Sequence, residues 1–148
     1  MDNVQIRDLF ASDHDAWLRL WLGYQAFYGI SLSAELTDTT FHRLLRHGEP
    51  MSGALAWHGH EAVGLVHFIR HRSTWTVGDY MYLQDLFTID HARGAGVGRA
   101  LIEHVYARAE AAHCSRVYWL THETNGTAMK LYDNVAERSG FIQYRRQF

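Results

Sequence analysis

One cysteine and one proline in 148 residues leave this chain without two common ways of bracing itself. A lone Cys114 cannot close an internal disulfide, so a reducing compartment, the cytoplasm, is the expected setting. An excess of either charge is missing too. Fourteen Lys+Arg against sixteen Asp+Glu give a formal net charge of −2. Both signs are spread along the chain, so neither nucleic acid nor a membrane surface is an expected partner. No apolar run approaches the length of a membrane span, about 18 residues. The opening segment MDNVQIRDLF lacks the basic region and long apolar stretch of a signal peptide. There is no linker, repeat or low-complexity stretch, and a single domain over residues 1–148 is expected. What is present is a hydrophobic fraction of 47%, which excludes a disordered chain. There are also 11 histidines. His58 and His60 flank Gly59, but no cysteine set or H-E-x-x-H accompanies them, so no metal is expected.

Periodicity supplies the elements. Val4, Ile6 and Leu9 suggest a short first strand. Ser12 and Asp15 have the spacing of a capping box. Trp17, Leu20, Trp21, Tyr24, Phe27 and Tyr28 recur at helical spacing up to Gly29. A second helix is predicted over 33–46, stopped by Gly48 and Pro50. Segments 53–57 and 62–70 flank a hairpin turn at His58-Gly59-His60, and 79–89 reads as a further strand. A helix over 97–112 and a strand over 117–121, apolar on both faces and so expected to be central, come next. A long helix over 125–139 and a final strand over 141–146 complete the order. The alternation predicts an α/β (α+β layered) domain, with a mixed central sheet and helices on both faces.

Arg93-Gly94-Ala95-Gly96-Val97-Gly98-Arg99 opens the third helix. Free N–H groups and the positive end of the dipole gather at a helix N-terminus, and glycines let a phosphate approach it. The dinucleotide pattern G-x-G-x-x-G fails, because Arg99 stands at its last position, and no Walker Gly-Lys-Ser/Thr is present. R-x-x-G-x-G remains. By itself it suits either a phosphorylated ligand or a plain strand–helix turn.

The stretch from Tyr82-Leu-Gln-Asp85 through Gly98 resembles the acetyl-CoA-binding segment of the GCN5-related N-acetyltransferases. Asn125-Gly-Thr-Ala-Met-Lys-Leu-Tyr132 is similar to that family's N-x-x-A-x-x-L/F-Y segment, and Ser139-Gly140-Phe141 to its entry into the next strand. Within the family, the diamine acetyltransferases and a yeast histone and polyamine acetyltransferase are the nearest subgroup, through the likeness of Tyr82-Leu-Gln-Asp85 to Y-L-E-D.

The resemblance implies a sheet that splays between two parallel strands. Acetyl-CoA would lie there as co-substrate, its pyrophosphate on Arg93, Gly94, Ala95, Gly96, Val97, Gly98 and Arg99. Its pantetheine arm would pair with Leu86, Phe87 and Thr88 and touch Asn125. Tyr132 would protonate the leaving thiolate. A phenol stays protonated at neutral pH and can donate. The glutamate base of the diamine acetyltransferases' Y-L-E-D is replaced by Gln84, and an amide cannot take a proton; a water chain to another carboxylate or a histidine, an amine that needs no base, or a different acceptor would then be implied. Asp85 follows Gln84, yet successive strand residues face opposite sides. Tyr28 and Trp75 are candidates for the acceptor site. Cys114 reads as a small buried hydrophobe, which implies direct transfer rather than an acyl-enzyme. The expected reaction moves an acetyl group directly to an amine of a small molecule or peptide, in a homodimer. The alternative, motivated by Gln84, is a non-catalytic acyl-CoA-binding sensor or interaction module.

Overall fold

The turn at Gly59, with φ +60°, joins β2 (Met51–His58) to β3 (Glu61–His71) in an antiparallel hairpin. In this computed structural model, which describes residues 3–148, the hairpin forms the middle of a five-stranded sheet. β1 (Val4–Asp8) lies on one side of it and β4 (Tyr80–Thr88) on the other, both antiparallel. β5 (Arg116–Tyr118) is parallel to β4, so the sheet is mixed. β3 is buried from Ala62 to Phe68, which is why its sequence is an almost unbroken apolar run.

Helices cover both faces. α1 (His14–Phe27) and α2 (Ala34–Leu45) bring Trp17, Leu20, Phe41 and Leu44 onto Leu55 and Leu65. α3 (Val97–Ala111) lays Val97, Leu101, Ile102 and Val105 on Ala54, Val66, Phe68 and Met81 from the other side. α4 (Gly126–Val135) packs Leu131, Tyr132 and Val135 against the edge of that second core. Gly64 sets the depth of α3. A Cβ there would come within 2.8 Å of Val97 Cγ1 and 2.9 Å of Leu101 Cδ1.

Four expectations change. The start of α1 is organised by Asp13 rather than by Ser12 with Asp15: the Asp13 carboxylate accepts from the Phe10 N–H at 2.9 Å and from both terminal nitrogens of Arg7 at 2.9 and 3.0 Å. β5 is an edge strand of three residues, because the chain leaves the sheet after Tyr118. α4 ends at Val135, four residues short of Ser139. The strand expected over 141–146 is not formed. Residues 137–148 have no regular structure, and Phe141, Ile142, Tyr144 and Phe148 stand in solvent.

Candidate active site

The site is built where β4 and β5 part. The two strands are paired only between Tyr80–Tyr82 and Arg116–Tyr118. Beyond Tyr82 the edge of β4 that faces β5 has no strand partner, and this free edge includes Leu86, Phe87 and Thr88. The sheet therefore splays as expected. Trp119 continues beyond β5 and packs its ring edge-on against Tyr132 of α4, with centroids 5.4 Å apart.

The glycine turn lies at the far end of the same edge. Gly94 and Gly96 have φ +79° and +84°, values that a residue with a Cβ adopts at a cost. Gly96 is the cap of α3 and makes no side-chain cap. The first bond of the helix runs from Ala100 N–H to Gly96 O at 3.0 Å, so the N–H groups of Val97, Gly98 and Arg99 have no partner within the helix. Oriented N–H groups at the positive end of a 15-residue helix suit a phosphate. Arg93 does structural work as well: its Nε donates to Thr88 O at 3.1 Å, and its guanidinium lies 4.8 Å over the Phe27 ring. Arg99 pairs with Glu103 at 3.3 Å on the surface. Asn125 stands at the start of α4, but its side chain does not cap the helix and instead donates to Thr121 Oγ1 at 3.4 Å.

An aromatic wall closes the α1 side. Tyr24, Phe27 and Tyr28 line the last turn of α1, with Tyr24 and Tyr28 centroids 4.9 Å apart. Phe87 meets Tyr24 and Phe27 at 6.4 and 6.5 Å. Gly23 lets the helix come this close, since a Cβ there would touch Phe87 Cε2 at 3.0 Å. Tyr82 and Tyr118 stack at 5.0 Å. Tyr132 is half-buried; burial, and then the nearby Tyr28, push its phenol above the usual range, so it holds its proton and can donate it. Tyr28 thus lies within electrostatic reach of Tyr132. Trp75 is not gathered with them: it is 75% exposed, in the loop between β3 and β4.

Gln84 and Asp85 differ from the strict alternation expected of a strand. His67 pairs with Asp85 and Phe68 with Leu83, so Gln84 is an extra residue in β4, a bulge. Leu83 and Leu86 are three residues apart, yet both pack on the α3 side. The bulge therefore turns Asp85 onto the α1 side, opposite His67, while Gln84 is exposed. His67 is a buried neighbour of Asp85 that the sequence does not single out; nothing distinguishes it among 11 histidines until the bulge aligns the two.

Cys114 sits past the end of α3 remote from the glycine turn, a helix length of roughly 22 Å away. Burial foremost, then Asp79, raises its thiol, and Arg70 offsets this in part. The thiol is therefore placed and tuned poorly for an acyl-enzyme. Among the described residues no group of three His, Cys, Asp or Glu side chains is arranged to hold a metal ion. Among the described residues no helix is long and apolar enough to cross a membrane.

Comparison with known proteins decides between the readings left open above. The model of the acetyltransferase (GNAT) family matches residues 6–136. This chain belongs to the GNAT acetyltransferase family. It is 35% identical over 147 residues to the D-amino-acid N-acetyltransferase of Saccharomyces cerevisiae, covering 98% of this chain and 91% of that one. It is 30% identical over 98 residues to the thialysine N-epsilon-acetyltransferase of Caenorhabditis elegans, covering 63% of this chain and 61% of that one. Among solved structures, AAC(6')-Iy in complex with the bisubstrate analogue CoA-S-monomethyl-acetylneamine superposes with a TM-score of 0.87 at 15% identity, covering 99% of both chains. The GNAT enzyme is thus an N-acetyltransferase, and acetyl-CoA is the family's acetyl donor. The sensor reading falls away as the primary one.

Proposed function

We propose that this GNAT enzyme binds acetyl-CoA along the free edge of β4 and acetylates the amine of a small molecule by direct transfer. The observation that carries the reading is the shared geometry of the splayed edge, the left-handed glycine turn and Tyr132. The N–H groups of residues 97–99 hold the pyrophosphate, with Arg93 and Arg99 adding positive charge. The backbone of Leu86, Phe87 and Thr88 pairs with the pantetheine arm, and Asn125 touches it. A backbone N–H near Phe87 polarises the thioester carbonyl. Tyr132 protonates the departing sulfur. Holding donor and amine together supplies much of the rate gain.

The acceptor follows from the relatives. The D-amino-acid enzyme is similar over nearly the whole chain, so an amino acid amine is the first acceptor to test. The wall of Tyr24, Phe27 and Tyr28 suits an ammonium group carried on a short apolar stem. We place the enzyme in the cytoplasm, supported by its free thiol.

A homodimer completes the proposal. Residues 137–148 expose four large apolar side chains beside a groove of ≈ 850 Å³ along the outer edge of β5. An unpaired edge next to an unpaired apolar segment favours pairing with the same segment of a second copy.

Tyr132→Phe tests the active-site assignment. The expected result is a loss of turnover of roughly 10²-fold or more with acetyl-CoA affinity by calorimetry unchanged. Unchanged turnover would remove Tyr132 from the chemistry.

A further inference from the structure

Gln84 cannot accept the proton that an ammonium must lose before it attacks. Three side chains of the α1 side are linked to one another next to the bulge it forms. Trp17 Nε1 donates to His67 Nε2 at 3.0 Å, and His67 Nδ1 lies 3.0 Å from Asp85 Oδ2. An indole N–H only donates. His67 Nε2 therefore carries no proton, and Nδ1–H donates to the Asp85 carboxylate. The tautomer is fixed, and both ring nitrogens are committed. A second proton on His67 would set N–H against N–H, so His67 aims Asp85 and does not itself accept.

Burial makes this arrangement specific. His67 is 3% exposed and is also packed edge-on against Trp21 at 5.1 Å. The Asp85 side chain is 11% exposed, and among the described residues His67 is its one ion-pair partner. The titratable groups facing Asp85 are His67 from β3, Tyr24 from α1 and Tyr82 from its own strand. Burial first, then the Asp85 charge, raises the Tyr24 phenol, which keeps that hydroxyl protonated. Tyr24 stands beside Tyr28 in the aromatic wall, and Tyr28 is the titratable group whose charge bears on Tyr132.

We propose that Asp85, aimed by the Trp17–His67 pair and reached through the Tyr24 hydroxyl, is the proton acceptor for the incoming amine. The inference rests on the acetyltransferase reading above. The ammonium gives a proton to the Tyr24 oxygen as Tyr24 passes its own to Asp85, leaving a neutral amine and a carboxylic acid. The amine nitrogen bonds to the thioester carbon and the carbon–sulfur bond breaks. Sulfur takes the Tyr132 proton, and the new amide's nitrogen returns one to Tyr132. Asp85 then releases its proton to solvent, so one proton leaves per turnover. Tyr24 is catalytic in this scheme; His67 and Trp17 are positioning residues.

The test is the pH dependence of kcat/KM for thiol release in the wild type, Asp85→Asn, Tyr24→Phe and His67→Phe, with folding followed by thermal melting and acetyl-CoA affinity by calorimetry. Asp85→Asn is expected to lose roughly 10²-fold in kcat/KM, and to lose the acid limb of the profile, at unchanged acetyl-CoA affinity. His67→Phe removes the N–H that favours the charged carboxylate, so its acid limb moves to higher pH; a purely structural role would lower activity equally at every pH. Tyr24→Phe leaves the buried pair intact and serves if Asp85→Asn does not fold; its expected loss is at least tenfold. Wild-type rates and profile in Tyr24→Phe, or in folded Asp85→Asn, overturn the proposal. A wild type that releases no thiol with any amine would instead overturn the acetyltransferase reading.

Discussion

Tyr82 and Tyr118 are the last residues at which β4 and β5 are paired, and their rings stack at 5.0 Å across that final rung. The stack marks the hinge of the splay. Up to it the sheet is closed by backbone hydrogen bonds; beyond it Leu86, Phe87 and Thr88 present a strand edge that no strand covers. Unpaired edges are ready templates for another extended chain. Bound acetyl-CoA is therefore expected to slow amide hydrogen exchange at Leu86–Thr88, and to leave the covered strand β3 unchanged. Mass-resolved exchange with and without acetyl-CoA checks this, and equal exchange in both states would place the arm elsewhere.

The two glycines of the turn and Gly64 make separable predictions. Gly96→Ala forces a Cβ into a left-handed cap, where nothing crowds it but the backbone is strained. It is expected to cost about 1–2 kcal/mol and to weaken acetyl-CoA binding. Gly64→Ala drives a methyl into Val97 and Leu101 from below. It should cost about 1–3 kcal/mol by overpacking and move α3 with its free N–H groups. Urea midpoints and calorimetric affinity separate the two.

Alkaline pH should destabilise the enzyme. Tyr24, Tyr82, Tyr106, Tyr118 and Tyr132 are all raised in the folded state, with burial the leading cause in each. A group that holds its proton more tightly when folded contributes stability that is complete below the unfolded value, about 10 for tyrosine. That contribution is lost as pH climbs from there towards the folded value. The urea midpoint should hold steady up to about pH 9 and fall above pH 10. Tyr24→Phe should flatten the fall, because it removes a strongly raised group. A midpoint independent of pH from 9 to 11 contradicts the burial of these hydroxyls.

The apolar tail predicts its own readout. Ile142→Asp places a charge on an exposed apolar segment and should leave the fold's melting temperature unchanged. If the tail joins two copies, sedimentation shifts from dimer to monomer. A monomeric wild type removes the dimer.

Much of this architecture was legible in the sequence, and the departures have physical causes. The helical spacing of Trp17, Leu20, Trp21 and Tyr24 and the continuous apolar run of β3 report burial directly, so the layers follow. The R-x-x-G-x-G turn was equally plain, because left-handed backbone selects glycine. The side on which Asp85 lies is not legible in the sequence, since period-two alternation assumes an unbroken ladder and the bulge at Gln84 resets it. His67 was hidden for the same reason. Phe141 and Ile142 carry the composition of a strand, yet among the described residues they pair with none, and the outer edge of β5 beside them stays open.

The account is tested most directly by following thiol release and acetylated product together, with acetyl-CoA and a panel of D- and L-amino acids, polyamines, thialysine, aminoglycosides and basic peptides. It predicts release of thiol matched one-for-one by N-acetylated product with at least one small-molecule amine, amino acids first. Tight acetyl-CoA binding with no thiol released across the panel would contradict it and restore the sensor reading.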